Sequence, residues 1–341
     1  MSTSPSPYTE QYANPQGPND GRPTGSQIIK DYGLENRFSG RVALVTGATS
    51  GIGLEAARAI HETGADIYIA ALEATKAHNL IEDIKMSSKG TGKIELLDLD
   101  LGSLVSVNDV VRKFKSLSGT LNILITNAGI MTAPPGSRTK EGFDMRFGIN
   151  HLGHYALTAQ LLPLLIRSST PDFNSRLVAI TSSAHRFSSI RWDNLNLTQT
   201  DDVWTAYGQS KTANLWMANY IDRKYGPRGV HASAVNPGMI WTGILDNLDP
   251  VTSEHWKNDQ SLMNIMQSPA QGSATTVWAA VSPTWEGKGG KYLVTCRIGE
   301  PLKDMNSIVD PGYATHAYDE EGENRLWELS SQLTGISVQE T

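Results

Sequence analysis

Val42-Ala43-Leu44-Val45 runs without a break into Thr46-Gly47-Ala48-Thr49-Ser50-Gly51-Ile52-Gly53. Four consecutive apolar residues read as a strand buried on both faces. The glycines that follow let the backbone turn tightly. Leu54, Ala57 and Ile60 then recur at helical spacing until Gly64 stops the pattern. Strand, glycine turn and helix together make the first half of a βαβ unit.

The same alternation continues downstream. Ile67-Tyr68-Ile69-Ala70-Ala71, Ile94-Glu95-Leu96-Leu97, Ile123-Leu124-Ile125, Leu177-Val178-Ala179-Ile180, His231-Ala232-Ser233-Ala234-Val235 and Tyr292-Leu293-Val294 read as six further strands. A helix is predicted over residues 74–86, between the second and third. Strands alternating with helices predict an α/β fold, a single doubly wound parallel sheet (Rossmann-like) with helices on both faces. No solenoid-length repeat and no mid-chain linker divides it, so residues 40–341 are read as one domain. Residues 1–39 are rich in Ser, Pro, Gly, Asn and Gln and are expected as a flexible tail. Residues 1 to about 25 have too little apolar surface to offset ordering entropy, while Ile28, Ile29 and Tyr32 are expected to dock.

Composition narrows the function. The chain has 341 residues and a net charge of -6, from 29 basic and 35 acidic side chains. Such a balance argues against binding nucleic acid through phosphates. Cys296 is the only cysteine, so no internal disulfide forms and no cysteine metal site is expected. No apolar run is long enough for a membrane span or a signal peptide, and a soluble, cytoplasmic protein is expected.

In a doubly wound sheet, ligands sit beyond the carboxyl ends of the strands, and the chemistry-bearing residues cluster there. Gly47, Gly51 and Gly53 let the backbone approach a pyrophosphate, and the helix from Ile52 aims free N–H groups at it. The spacing is G-x-x-x-G-x-G rather than G-x-G-x-x-G. Asp100 follows the third strand and either accepts from an adenine amino group or caps the helix at Ser103-Leu104. Asn127-Ala128-Gly129 follows the fourth strand with room for a ribose, and Pro237-Gly238 ends the sixth, with Ile240 and Thr242 near a nicotinamide. An acid ending the second strand would favour NAD and an arginine NADP. The chain has Ala71-Leu72 there, with Glu73 and Lys76 just beyond and pulling in opposite directions.

Tyr207 and Lys211 lie four residues apart, on one face of a helix. A neighbouring ammonium favours phenolate. Bringing tyrosine from about 10 to about 7 takes roughly 4 kcal/mol. Such a pair serves as proton donor in carbonyl reduction or as base in alcohol oxidation. Ser182, with Ser183 as runner-up, is placed to orient a substrate oxygen, and Asn150 to hold a proton-relay water. His151, His154 and His185 lack an accompanying carboxylate or cysteine set, so they are read as packing and hydrogen-bonding residues. No G-x-S-x-G elbow surrounds Ser183 and His185, which argues against a hydrolase.

Together these residues resemble the short-chain dehydrogenase/reductase family, from about Gly40 to Leu333. The glycine turn is similar to that family's Thr-Gly-x-x-x-Gly-Ile-Gly, and Asn150, Ser182, Tyr207 and Lys211 to its catalytic tetrad. Asn150-His151-Leu152-Gly153-His154, Ser182-Ser183-Ala184-His185 and Leu326-Trp327-Glu328-Leu329-Ser330 resemble the retinol-dehydrogenase-like branch. The resemblance implies an NAD(P)-dependent enzyme acting on CH-OH groups, with Lys211 also holding ribose. The branch and Lys76 lean the cofactor to NADP(H) over NAD(H), although Ala71-Leu72 replaces the branch's Cys-Arg. It also implies subunit pairing, as a homodimer or homotetramer, through helices around 148–165 and 207–224. A substrate-covering segment is expected at about 240–285 and a C-terminal extension at about 295–341. Trp241, Trp256, Leu262, Met263, Ile265 and Met266 are expected to line a lipophilic or aromatic substrate, such as a specialised metabolite. A non-redox cyclase or isomerase and a cofactor-binding regulator without catalysis are the alternatives.

Overall fold

The computed structural model describes residues 6–339, apart from 78, 135, 198–201, 247–248, 305–306, 308–309 and the side chain of Lys76. One sheet holds β1 (Val42–Thr46), β2 (Asp66–Ala71), β3 (Ile94–Asp98), β4 (Ile123–Thr126), β5 (Ser175–Ile180), β6 (Val230–Asn236), β7 (Lys291–Val294) and β8 (Arg297–Ile298). Its order is β3-β2-β1-β4-β5-β6-β7-β8. The first seven strands pair in parallel, and β8 returns antiparallel to β7. Strand order reverses between β1 and β4, which opens a crevice at their carboxyl ends.

Each strand feeds two cores, because side chains alternate across the sheet. Val42 and Leu44 join one core and Ala43 and Val45 the other. Helices Leu104–Leu117, His154–Ser168, Val203–Tyr225 and Glu320–Thr334 close the first. Helices Gly25–Asp31, Gly51–Glu62, Leu80–Ser88 and Ala274–Val281 close the second. All seven expected strands are present. The eighth is only two residues long and carries no alternation to read.

The helix expected over residues 74–86 is split. A 3-10 turn covers Ala74–Lys76, and the α-helix starts only at Leu80. Asp98 accepts from the Thr75 N–H at 2.9 Å and from its hydroxyl at 2.7 Å. That side-chain clamp competes with helical hydrogen bonding.

The N-terminal segment also departs from expectation. Ile28 and Ile29 are fully buried, and Trp278 Nε1 donates to the Tyr32 hydroxyl at 3.1 Å. The described residues before 25, expected to be mobile, pack as well. The Arg22 guanidinium is buried and donates to the carbonyls of Gly17, Ile265 and Met266 and to the Asp20 carboxylate. Gln271 donates to the Asp20 carbonyl and accepts from the Asn19 N–H. Composition missed this because a buried cation adds its bonds to the small apolar area that Tyr8 and Tyr12 bury.

The last helix, Glu320–Thr334, lies across the helices that the family resemblance assigns to subunit pairing. Trp327 stacks on Tyr220 with ring centroids 4.4 Å apart and meets Tyr155 edge-on at 4.8 Å. Glu323 accepts from Asn219 and pairs with Arg223, and His151 Nε2 shares a 2.8 Å hydrogen bond with Ser330. The chain's own extension therefore packs on part of the two helices through which a dimer or tetramer is expected. Among the described residues, no helix is long and apolar enough to cross a membrane.

Candidate active site

A cavity of about 500 Å³ lies at the strand-order reversal. It is walled by the ends of β1 to β6 and gathers most of the residues singled out in the sequence. Gly47, Gly51, Ile52, Gly53, Asp100, Asn127, Ala128, Gly129, Ser182, Tyr207, Lys211, Pro237, Gly238, Ile240 and Thr242 all line it. The Lys76 side chain lies outside the described residues.

The glycine turn fits a pyrophosphate. Gly47 and Gly51 hold φ of +65° and +58°, which disfavour any side chain. A Cβ at Gly47 would meet the Ala128 Cα at 2.7 Å, and one at Gly53 the Asn127 Nδ2 at 2.4 Å. Ser50 caps helix Gly51–Glu62 without a side-chain hydrogen bond to its first turn. N–H groups at the helix end thus lack that cap and remain available to an anion. Thr46 was not singled out, yet it ties the turn to β4. Its hydroxyl accepts from the N–H groups of Asn127 and Ala128 and shares a 2.8 Å hydrogen bond with His154. Only its place, directly before the first glycine, hinted at this.

Asp100 is not the cap of the following helix; Ser103 is. Its carboxylate accepts from the Gly102 N–H at 2.9 Å and lies 3.3 Å from Lys140 Nζ. At the end of β2, Ala71 and the exposed Leu72 line the cavity, so the strand end itself presents no charge.

Four polar side chains converge at the other end. Asn150 sits in a wide π-helical turn, Gly148–Gly153, and such turns recur at functional sites. It accepts from the Ile130 N–H at 2.8 Å and donates to the Ile130 carbonyl and the Ser210 hydroxyl, each at 2.9 Å. Tyr207 and Lys211 share a face of helix Val203–Tyr225, with Lys211 Nζ 5.5 Å from the Tyr207 ring centroid. Lys211 donates to the Ile180 carbonyl at 3.1 Å. A Cβ on Gly129 would meet Asn150 Oδ1 at 3.2 Å and Lys211 Nζ at 3.4 Å, so glycine there leaves both side chains room. Ser182 lines the cavity and also accepts from the Ala184 N–H at 3.1 Å, doubling as a cap.

Burial pushes the Tyr207 hydroxyl up to about 12, with Ser182 beside it pulling the other way. Burial also lowers Lys211 to about 8. The expected lowering of Tyr207 by Lys211 is not produced by the chain alone, because desolvation dominates. His154 is lowered to about 4, first by burial, then by Lys211, against its bond to the Asn150 carbonyl. His185 holds the Ser182 carbonyl and the Ala314 N–H. All three histidines are buried, and no metal-binding group of three or more occurs among the described residues.

The expected substrate wall is rearranged. Trp256, Leu262 and Met266 pack on each other and on Trp204, Met263 and Ile265 in a satellite core, while Trp241 is exposed. Met131 and Ala184 pack instead against Tyr207, with Val203, Trp204, Ile244 and Leu245 around them. Met131 and Ile244, which carry no sequence motif, line the cavity.

A glycine-cradled crevice and a Ser-Tyr-Lys set, its Tyr207 and Lys211 buried, at one strand-order reversal define a nucleotide-linked oxidoreductase scaffold. Residues 41–252 match the model of the short chain dehydrogenase family. The chain is 40% identical over 330 residues to the short-chain dehydrogenase/reductase prx1 of Penicillium rubens, covering 97% of this chain and 95% of that one. It is 32% identical to the polyprenol dehydrogenase of Homo sapiens, covering 87% and 86%. The crystal structure of an uncharacterized protein from Mycobacterium paratuberculosis superposes with a TM-score of 0.65 at 28% identity, covering 89% and 96%. The chain belongs to the short-chain dehydrogenase family and is an oxidoreductase.

Proposed function

We propose that the protein interconverts a secondary alcohol and a ketone, or an alcohol and an aldehyde, on a lipophilic or aromatic skeleton, with NADP(H) slightly favoured over NAD(H). The observation that carries this reading is the presence of Ser182, Tyr207 and Lys211 on the wall of the glycine-cradled crevice, with Asn150 buried behind it and bonded to Ser210. A nicotinamide bound in that crevice supplies or takes up the hydride. Ser182 orients the substrate oxygen, Tyr207 gives it a proton or removes one, and Lys211 holds ribose and places positive charge near the phenol. Asn150, fixed by Ile130 and Ser210, positions a relay water. With Tyr207 held near 12, the cleft favours proton donation, which suits carbonyl reduction at neutral pH. Met131 and Ile244 make the reacting end apolar. The likeness to a polyprenol dehydrogenase supports a lipophilic substrate.

Titration with NADPH and, separately, NADH tests the cofactor reading. Tight NADPH and weak NADH are expected; saturable binding of neither would remove the redox reading. Gly47→Ala tests the cradle. A side chain at positive φ costs roughly 1–2 kcal/mol, and its Cβ would press on Ala128. At least ten-fold weaker NADPH binding is expected in the same titration, and an unchanged affinity would mean the phosphates lie elsewhere.

A further inference from the structure

A second cavity, of about 360 Å³, lies behind the turn that follows β6. Its walls come from distant parts of the chain: the N-terminal segment through Tyr12, Pro15 and Arg22, the turn through Gly238 and Met239, and the β7–β8 hairpin through Thr295 and Arg297. Gly238 borders both cavities, and Ser183 reaches this one while its neighbour Ser182 reaches the first.

Three charged side chains line it, and two are already satisfied. Arg22 is spent on Asp20 and on backbone carbonyls. Asp310 accepts from the N–H groups of Gly312, Lys303 and Asp304, and Arg186 donates to its carbonyl. Arg297 is different. Its Nε is buried with no hydrogen-bond partner, and among the described residues no carboxylate is in ion-pair range of it. Thr295 Oγ1 and Gln267 Oε1, on the same walls, are also buried without partners. Unmatched buried polar groups are uncommon and costly.

The hairpin that presents Arg297 is strained. Thr295 and Cys296 form its two-residue turn with φ of +49° and +51°. Such turns favour Asn-Gly, and a β-branched residue there is an outlier. Strain of this kind concentrates at ligand-binding walls. Tyr12, Pro15, Met239, Ile265 and Val294 supply apolar surface around the one free cation on these described walls.

We propose that this cavity binds a carboxylate on an apolar body, with the carboxylate on Arg297. A guanidinium fork matches a carboxylate in shape, and the other carboxylate on these walls, Asp310, is already held by three backbone N–H groups. The acid is either the far end of the molecule reacting at Tyr207 or a separate one.

The probe is 11-(dansylamino)undecanoic acid, followed by its fluorescence, with its methyl ester as the neutral control. The acid is expected to bind the full-length protein saturably and to bind Arg297→Gln at least ten-fold more weakly, while the ester binds both alike. Met239→Trp, which narrows the cavity, is expected to weaken binding of both. No saturable binding of the acid, or equal loss of acid and ester in Arg297→Gln, overturns the proposal. Inhibition of ketone turnover by the acid is competitive if the site holds the substrate's own tail and noncompetitive if it holds a separate acid. The binding titration needs no turnover, so its failure leaves the redox reading standing.

Discussion

Replacing Tyr207 by Phe is expected to lower ketone reduction by 10²- to 10⁴-fold, the range for losing a positioned proton donor, while NADPH affinity changes less than three-fold. The ring is buried against Met131 and Ala184, and Phe keeps that packing. Ser182 keeps its bond from the Ala184 N–H, so the wall stays in place. Steady-state turnover and a cofactor titration on the same preparation separate the two effects. Loss of both together would point to a collapsed cleft, and retention of turnover would remove Tyr207 from the chemistry. The unmutated protein carries a linked expectation. Lys211, lowered to about 8, is charged below that pH and neutral above it, whereas Tyr207 keeps its proton to about 12. Reduction should therefore hold steady through neutrality and decline as pH rises through about 8. A flat profile to pH 10 would mean that the Lys211 charge does not assist.

Arg22→Ala is expected to cost about 3 kcal/mol of stability, the low end of the range for breaking a buried pair. Alanine leaves the carbonyls of Ile265 and Met266 without their donor. The penalty sits at the low end because Asp20 keeps its bonds from the Gln16 N–H and from Gln271. Thermal unfolding should shift downward by about 4 °C. Limited proteolysis should cut near residues 259–268 before the sheet opens, because the clasp holds that stretch down. A shift below about 2 °C would mean that the N-terminal segment is held by its apolar contacts alone.

The difference between these two residues shows what a sequence exposes. The β1 turn was legible because strand, glycines and helix follow one another within about twenty residues, and each obeys a local rule. Tyr207 and Lys211 were legible because four residues on a helix fix their relation. Arg22 was not, since the partners that tie it to the body of the protein lie more than 240 residues away and are backbone carbonyls, which every residue has. Thr46 was passed over for a similar reason: its bonds to Asn127, Ala128 and His154 exist only once β1 and β4 are paired. Trp256, Leu262 and Met266 were read as substrate wall because apolar residues bury themselves equally well against ligand or against each other. Hydrophobicity does not tell these apart, and here they chose each other.

Helix Glu320–Thr334 carries one more consequence. A face covered by a second subunit is only as protected as the protein is concentrated, because that contact dissolves on dilution. Here the covering helix is tethered to the body it covers, so its local concentration is set by the chain and not by the solution. The Trp327 stack on Tyr220 is therefore as complete in a single isolated molecule as in a crowded one.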